Sequence, residues 1–339
     1  MEADSFGDYL RQTSCVLYLA VDPFIPLRGK PFDGLDEFNA RLDHTGVPAV
    51  WVTNRTRLQM DDPRRKNGHT HPFIGEGGCA VYLPEDYFHL KPEKTLRLGR
   101  FTSMPVAQPQ PAAQEALASL AEDTGVEAVP LRSLSPRELV QNSGLPARDA
   151  EMARQRDFDE LFFFAGATDE DIQRFVAEAK LRKLALRQHG VLWSLAVGAS
   201  LQKCVRDLTK LYDRALRYHA VVLGVATAAE APDLFPCCER NILLANNSDD
   251  EPDDQQSADG NDSETADESE FADEADESNG DEVAATDEDV AARELREKPV
   301  RKKPPAKDPN LGPYSLTIPF HAPETWDRLL ETVGSRTYK

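Results

Sequence analysis

The chain has 339 residues, with 39 Lys or Arg and 59 Asp or Glu, so its formal net charge is -20 at pH 7. Residues 249–289 hold 20 of the acidic residues and no Lys or Arg, which leaves the rest of the chain balanced at 39 acidic and 39 basic residues. This balance excludes the basic surface that nucleic-acid binding requires, so no nucleic-acid partner is expected.

Cysteine usage and hydropathy indicate the compartment. The five cysteines are an odd number, lack Cys-x-x-Cys spacing and lie mostly within apolar runs, which predicts reduced core residues. The N-terminus is acidic, and no apolar run approaches the ~20 residues that cross a bilayer. We therefore expect a cytoplasmic protein without a membrane partner.

The first part of the chain alternates between strand and helix patterns. Residues 16–21 form a continuous apolar run, which is typical of a buried parallel strand. A polar run at residues 61–68 is expected to break the second helix. The alternation predicts an α/β fold with a parallel sheet. The predicted elements are strands at residues 16–21, 46–53, 73–74 and 80–83, and helices at residues 32–44 and 54–65.

From about residue 84 the pattern changes to a mixture of helices and antiparallel strands, and the first pattern resumes near residue 201. This order predicts a core domain that is split by an inserted α+β domain. The predicted elements of the insertion are helices at residues 108–122, 135–141 and 169–180, a strand at residues 158–164, and a hairpin around residues 189–190.

The acidic segment, residues 248–289, is rich in Asp, Glu, Ser and Ala and is too polar to bury a core, so we predict that it is disordered. A basic, proline-rich segment follows at residues 297–307. The two segments either attract each other or recruit a protein partner. Residues 321–333 then return to a helical pattern.

Two segments carry a resemblance to a known family. Residues 71–88 read HPFIGEGGCAVYLPEDYF, and residues 321–333 read HAPETWDRLLETV. Both resemble segments of the mannosyl-3-phosphoglycerate phosphatase branch of the haloacid dehalogenase (HAD) superfamily. The resemblance implies a HAD-like Rossmannoid core with a parallel sheet plus an inserted α+β cap domain. The implied boundaries are residues 14–84 and 198–247 for the core, 85–197 for the cap, 248–310 for a disordered insertion and 311–335 for a return to the core.

The first catalytic motif of that family, Asp-x-Asp-Gly-Thr, overlays residues 20–24. The overlay pairs Ala20 with the nucleophilic aspartate and Asp22 with the second aspartate. An alanine methyl group cannot attack phosphorus or form an aspartyl-phosphate. Thr53, at the end of the second predicted strand, corresponds to the hydroxyl residue of the second motif or is simply a helix cap. The resemblance thus implies vestigial catalytic positions at Asp22 and Thr53.

The lysine and metal motifs of the family also depart from its pattern. Residues 200–202 overlay the lysine motif, and Lys203 lies two residues late. Val225 overlays the first metal-binding aspartate of the fourth motif. Because Mg²⁺ requires oxygen ligands, no metal site and no cofactor are expected, and Mg²⁺ is expected only if the protein is active.

Residues 156–161 resemble the stretch with which the family's cap contacts its sugar phosphate. The resemblance implies substrate contacts by Arg156 and Glu160. Arg55 is a further candidate, because residues 54–56, Asn-Arg-Thr, resemble the family's Ser-Lys-Thr. A guanidinium suits a bidentate contact with phosphate or carboxylate. A solvated face beside a strand is the alternative for Arg156.

Three functional hypotheses follow. The leading one is a catalytically degenerate HAD-fold protein that binds a small phosphorylated or carboxylated ligand, or a protein partner through the acidic segment. The second is an active sugar-phosphate or phosphoglycerate phosphatase that uses a substitute residue such as Asp22. The third is that the fold only carries the acidic segment.

Overall fold

A computed structural model of the protein describes residues 15–27, 30–89, 92–246 and 316–334. The predictions for the acidic and the basic segment lie outside these residues. Within the described ranges, every helix is too short or too polar to span a membrane.

Thirteen strands in the described ranges form two separate sheets. They are β1 (Cys15–Ala20), β2 (Ala49–Val52), β3 (Phe73–Gly75), β4 (Ala80–Pro84), β5 (Leu96–Leu98), β6 (Phe101–Pro105), β7 (Ala128–Pro130), β8 (Asp159–Phe164), β9 (Leu184–His189), β10 (Leu192–Val197), β11 (Val221–Thr227), β12 (Arg240–Asn246) and β13 (Leu316–Phe320).

The large sheet has the strand order β13-β12-β11-β1-β2-β3-β4-β6-β5. The six strands from β13 to β3 are parallel to their neighbours, and β4, β6 and β5 continue the sheet in antiparallel pairs. Strand β1 lies in the middle of the parallel part, and all six of its residues are buried. This position explains its continuous apolar sequence, since both faces of the strand are covered. The α/β fold with a large parallel sheet is therefore confirmed.

Nine α-helices and three short 3₁₀ helices accompany the strands in the described ranges. The α-helices are α1 (Leu35–Thr45), α2 (Arg57–Lys66), α3 (Gln110–Thr124), α4 (Pro136–Ser143), α5 (Ala147–Arg154), α6 (Asp169–Leu181), α7 (Leu201–Leu216), α8 (Ala231–Leu234) and α9 (Thr325–Gly334). The 3₁₀ helices are Asp22–Phe24, Leu131–Ser133 and Phe235–Cys237.

Helices cover both faces of the large sheet. Helices α1 and α9 contribute Phe38 and Trp326 to the core on one face, together with Leu17 and Leu19 of β1. Helix α7 packs on the other face with Tyr18 of β1. The alternation of β1 side chains between two cores is the two-residue period of a strand.

The smaller sheet is antiparallel, with the order β7-β8-β10-β9. Helices α3 and α6 pack against it around Leu117, Phe162 and Phe175. A separate cluster on helices α4 and α5 packs around Leu139 and Leu161. This unit lies between β6 and α7 in the sequence, so it interrupts the large-sheet unit.

Two local features differ from the sequence prediction. Residues 96–105, which the pattern placed in the insertion, form β5 and β6 at the edge of the large sheet. Strand β5 is short and mostly exposed, so it lacks the apolar signal of a buried strand. The expected break at residues 61–68 is also wrong: α2 continues to Lys66, because Arg64 is buried with its guanidinium carbon 4.8 Å from the centre of the Phe73 ring.

Candidate functional site

Strands β1 and β2 are parallel, and Ala20 pairs with Val52 at their carboxyl ends. Asp22 and Thr53 follow directly after these two strands. The structure brings Ala20, Asp22 and Thr53 together in one crevice of about 540 Å³. The carboxyl edge of a parallel sheet is where ligand sites of α/β proteins form, so this crevice is the candidate site.

The carboxylate of Asp22 is bonded mainly to the loop after β2. It accepts hydrogen bonds from the Thr53 hydroxyl and from the backbone N–H of Asn54, the latter at 2.8 Å. The Nε atom of Arg55 lies 3.4 Å from Asp22 Oδ1. Asp22 therefore fixes the loop that carries Thr53.

Arg55 is a partner of Asp22 with little freedom to move. Its guanidinium also donates to the carbonyl oxygen of Ile25. Burial lowers the pKa of Arg55, while the charge of Asp22 opposes that shift. The group is thus held inside the protein and does not extend into the crevice.

The position that overlays the family's lysine is apolar. Leu201, at the start of α7, lines the crevice. Lys203 is exposed, and its backbone N–H donates to the capping hydroxyl of Ser200. Gly78 permits this packing, because its φ is +92° and a Cβ there would lie 2.7 Å from the Leu201 backbone. A leucine side chain cannot screen phosphate charge as a lysine does.

Val225, which overlays a metal-binding aspartate of the family, does not line the crevice. It pairs with Leu19 inside the sheet, is 0% exposed, and belongs to the core on the opposite face from Ala20. Strand β11 continues to Thr227. The crevice is lined instead by Glu230, whose carboxylate accepts from the Thr227 hydroxyl.

Glu230 lies in the wall of the crevice, after the end of strand β11. The pKa of Glu230 is raised overall, mainly because the group is buried. The charge of Asp22 raises the pKa further, and the hydrogen bond from Thr227 opposes the rise. The influence of Asp22 shows that these two carboxylates share one electrostatic environment. Like charges at short distance repel each other.

Three further residues face the crevice from the smaller sheet: Arg187, Gln188 and His189 on β9. The Nε atom of Arg187 lies 3.4 Å from Asp233 Oδ2. Its guanidinium also packs closely against Gly77, where a Cβ would lie only 2.8 Å from Arg187 Nη1. Sequence reasoning missed these residues. The only signal was the Gly190 turn, which predicted the hairpin but not its position over the sheet edge.

The imidazole of His189 is neutral. Burial, followed by the charge of Arg156, lowers its pKa to about 4. Its Nε2 atom lies 3.0 Å from the Ser194 hydroxyl. A neutral imidazole offers a hydrogen bond but no positive charge to a ligand.

A second cavity of about 520 Å³ adjoins the crevice. Asp22, Asn54, His189 and Gly190 line both spaces. Arg55 and Arg156 also border the second cavity, and the remainder of its wall is largely apolar. The two spaces together form a composite cavity with a polar end and an apolar end.

Arg156 is bonded within the protein. Its guanidinium forms a bidentate pair with the buried carboxylate of Asp159 and donates to the carbonyl oxygen of Asn54 at 2.7 Å. Burial alone would lower the pKa of Arg156, but the charges of Asp159 and Glu76 raise it. Its role in binding a ligand stays a prediction, and its observed role is to connect the smaller sheet to the loop after β2.

Glu76 lies beneath this ion pair. Its carboxylate accepts backbone N–H groups from Asp157, Phe158 and Asp159 at 2.9 to 3.2 Å. Burial and the charge of Asp159 raise the pKa of Glu76 to about 8, against the pull of Arg156 and the backbone donors. We call the set Glu76, Arg156 and Asp157–Asp159 the junction.

Glu160 points elsewhere. It is buried, accepts from the Gln110 amide, and lies 3.6 Å from Arg132 Nε. Burial is the main cause that raises its pKa. It does not line the crevice or the second cavity. The structure therefore groups Asp22, Thr53 and Arg55, places Arg156 beside them, and separates Glu160.

The Mg²⁺ that a family phosphatase would require has a poor fit here. Three carboxylates line the crevice with Ala20: Asp22 accepts from Thr53 and Asn54, Glu230 accepts from Thr227, and Asp233 is paired with Arg187. In the described ranges, no group of three or more His, Cys, Asp or Glu is arranged to hold a metal ion. Mg²⁺ prefers octahedral oxygen coordination, which this donor set does not supply.

No family model matches the chain. Curated relatives include a glucosyl-3-phosphoglycerate/mannosyl-3-phosphoglycerate phosphatase of Methanococcoides burtonii, which is 25% identical over 172 residues, or 50% of this chain and 62% of that protein. A phosphatase of the same name from Persephonella marina is 24% identical over 197 residues, or 57% of this chain and 70% of that protein. The match to the first relative thus spans only 62% of its length.

Solved structures with similar folds include a Thermoplasma acidophilum protein at 13% identity and TM-score 0.47, covering 68% of this chain and 85% of that one. A haloacid dehalogenase-like hydrolase from B. subtilis has 12% identity and TM-score 0.47, covering 68% of this chain and 88% of that one. Structural similarity at such low sequence identity does not indicate that the proteins share an activity. In its motifs and in its curated relatives, this chain is similar to the mannosyl-3-phosphoglycerate phosphatase branch of the HAD superfamily.

Proposed function

We propose that this HAD-like protein is catalytically inactive as a phosphatase and binds a small ligand in the crevice at the carboxyl edge of its large sheet. We also propose that the smaller sheet unit is the cap of the family and forms one wall of the site. Because β5 and β6 belong to the large sheet, the proposed cap begins after Pro105 and ends near Val197.

The observation that carries the proposal is the position of Ala20. Its methyl group stands at the carboxyl end of the central strand, beside Asp22 and Thr53, where a nucleophilic carboxylate would have to be. Leu201 lines the crevice in place of a lysine. In proteases, loss of a nucleophile alone costs on the order of 10⁶ in turnover.

Asp22 is the substitute nucleophile of the alternative hypothesis, and its contacts disfavour that role. Thr53, Asn54 and Arg55 surround its two oxygens with donors. Lone pairs that already accept hydrogen bonds are less available to attack phosphorus. The crevice nevertheless contains this carboxylate, so an assay must test it directly.

The test is hydrolysis of mannosyl-3-phosphoglycerate, glucosyl-3-phosphoglycerate and 4-nitrophenyl phosphate, with and without Mg²⁺. We expect no Mg²⁺-dependent release of phosphate above the rate without protein. Activity that survives repurification and is lost in the Asp22→Asn variant would overturn the proposal and establish Asp22 as the nucleophile.

Asp233→Asn is a matched control for Asp22→Asn. Asp233 also borders the crevice and is also a carboxylate, but it is exposed and does not contact Thr53. An equal loss of phosphatase activity in both variants would mean that activity depends on the total negative charge of the crevice. A loss in Asp22→Asn alone would mean that activity depends on the carboxylate of Asp22.

A further inference from the structure

The charges of the composite cavity are already balanced within the protein. Each arginine that lines it has a carboxylate partner: Arg55 with Asp22 at 3.4 Å, Arg187 with Asp233 at 3.4 Å, and Arg156 with Asp159. Among the described residues, no lysine lines either space. A bound phosphate would therefore have to break an existing ion pair to gain a cation.

Glu230 adds a carboxylate that has no arginine or lysine partner among the described ion pairs. The hydroxyl of Thr227 donates to one of its oxygens, and Glu230 lines the crevice. A phosphate dianion next to Glu230 and Asp22 would meet like charge in a partly dry site, which costs affinity. The carboxylate of Glu230 can instead accept a hydrogen bond from a hydroxyl group, which carries no charge.

The second cavity supplies an apolar end. Its apolar lining consists of Pro26, Leu27, Leu145, Ala153, Leu161, Val191 and Leu192. Val191 is 73% exposed at the hairpin turn, so it forms the outer rim of this wall. Burial of an apolar ring here would be favourable at about 25 cal/mol per Å² of apolar surface.

We propose that the composite cavity binds an uncharged glycoside, with a sugar hydroxyl donating to Glu230 and an apolar aglycone in the second cavity. This inference rests on the proposed inactive, ligand-binding function, and it replaces the phosphorylated or carboxylated ligand expected from the sequence. Pockets of this size accommodate a sugar together with an aromatic ring.

The test compares two ligands that differ by one phosphate: 4-nitrophenyl α-D-glucopyranoside and its 6-phosphate, with the matching mannoside pair. Titration calorimetry gives the affinities, and a rise in melting temperature gives an independent measure of binding. We expect the neutral glycoside of at least one pair to bind about tenfold or more tightly than its phosphate, a factor that corresponds to one unit in log Kd. Equal or tighter binding of the phosphates, or no saturable binding of any of the four, overturns the inference.

Val191→Ser tests the apolar end without changing the core, because this side chain is exposed. It should weaken the 4-nitrophenyl glycoside several-fold and leave the methyl glycoside unchanged. Leu181→Ser is the matched control, since Leu181 is 77% exposed and lines neither space. Equal effects of the two variants on the nitrophenyl ligand would refute the placement of the aglycone.

Glu230→Gln tests the polar end. Removal of its charge should reduce the ratio between the affinity for the neutral glycoside and the affinity for its 6-phosphate. An unchanged preference would refute the role of Glu230. Failure of this inference differs from failure of the proposed function: phosphates that bind tightly but are not hydrolysed refute only the ligand class, whereas Mg²⁺-dependent hydrolysis refutes the inactive function itself.

Discussion

The junction and the crevice lie side by side, and both are rich in charged residues, but they use the charges differently. In the junction, Glu76, Arg156 and Asp159 are bonded to one another or to backbone groups and are buried. In the crevice, Asp22 and Glu230 have internal partners and also face an open space. A charged residue at a motif position can therefore serve the structure or a ligand. The groups to which the folded protein bonds it decide which.

The largest effect should come from breaking the junction. Arg156→Met leaves Asp159 as a buried carboxylate without a cation, and the loss of one partner of a buried pair costs about 3–5 kcal/mol. We expect a loss of stability in this range in urea unfolding at pH 7.

The double variant Arg156→Met, Asp159→Leu is the control for that prediction. It removes both partners, so it should be clearly more stable than Arg156→Met alone. A nearly unchanged stability of the single variant, combined with lost ligand binding, would instead show that Arg156 belongs functionally to the crevice.

A second prediction concerns the pH dependence of stability. The pKa of His189 is lowered from 6.5 to about 4 in the folded chain, so between these values the unfolded chain binds more protons. Stability from this group is complete above about pH 6.5 and is lost as the pH falls toward 4, by on the order of 2 kcal/mol at pH 4.5. Urea unfolding at pH 7 and pH 4.5 should show this loss.

His189→Asn should reduce the difference in stability between pH 7 and pH 4.5 by that amount. His69, whose pKa burial also lowers, is present in both chains and does not affect the comparison. The same pH dependence in both proteins would mean that water reaches the imidazole. The wall between crevice and junction would then be wetter than the structure indicates.

The smallest effect should come from the crevice. Thr53→Val removes one donor to Asp22 and the acceptor of the Arg55 N–H, while the shape of the side chain stays similar. Because Asp22 borders an open space, water can replace the lost donor, and we expect about 1 kcal/mol of destabilisation. Unfolding in urea would measure it, and a loss as large as that of Arg156→Met would remove the distinction between the two regions.

Much of the fold follows from local pattern. The buried run of β1, the two-residue turn around Gly190 and the helical spacing of α1 are visible in the sequence, because burial on both faces or on one face leaves a characteristic period. Strand β5 was missed because it is exposed and short.

The sequence predicts those site residues that follow the ends of strands. It does not predict the site residues that the packing of the smaller sheet brings in. Asp22 and Thr53 follow parallel strands, so their meeting is a consequence of topology. Arg187 and His189 reach the crevice only because the smaller sheet packs over that edge, and no spacing in the sequence encodes that contact. The ion-pair partner of Arg156, Asp159, is three residues away in the sequence, and the motif resemblance did not predict that pairing.

The three backbone N–H groups that donate to Glu76 also affect how ligands can exchange. A hinge motion that lifted the smaller sheet would strip one carboxylate and three amides of their partners at once, each at about 1–3 kcal/mol. Opening by such a motion should therefore be rare, and the amides of Asp157, Phe158 and Asp159 should exchange slowly with deuterium. Residence time of a ligand would then depend on local motion of the hairpin tip at Gly190 and Val191, which makes that turn the kinetic gate of the cavity.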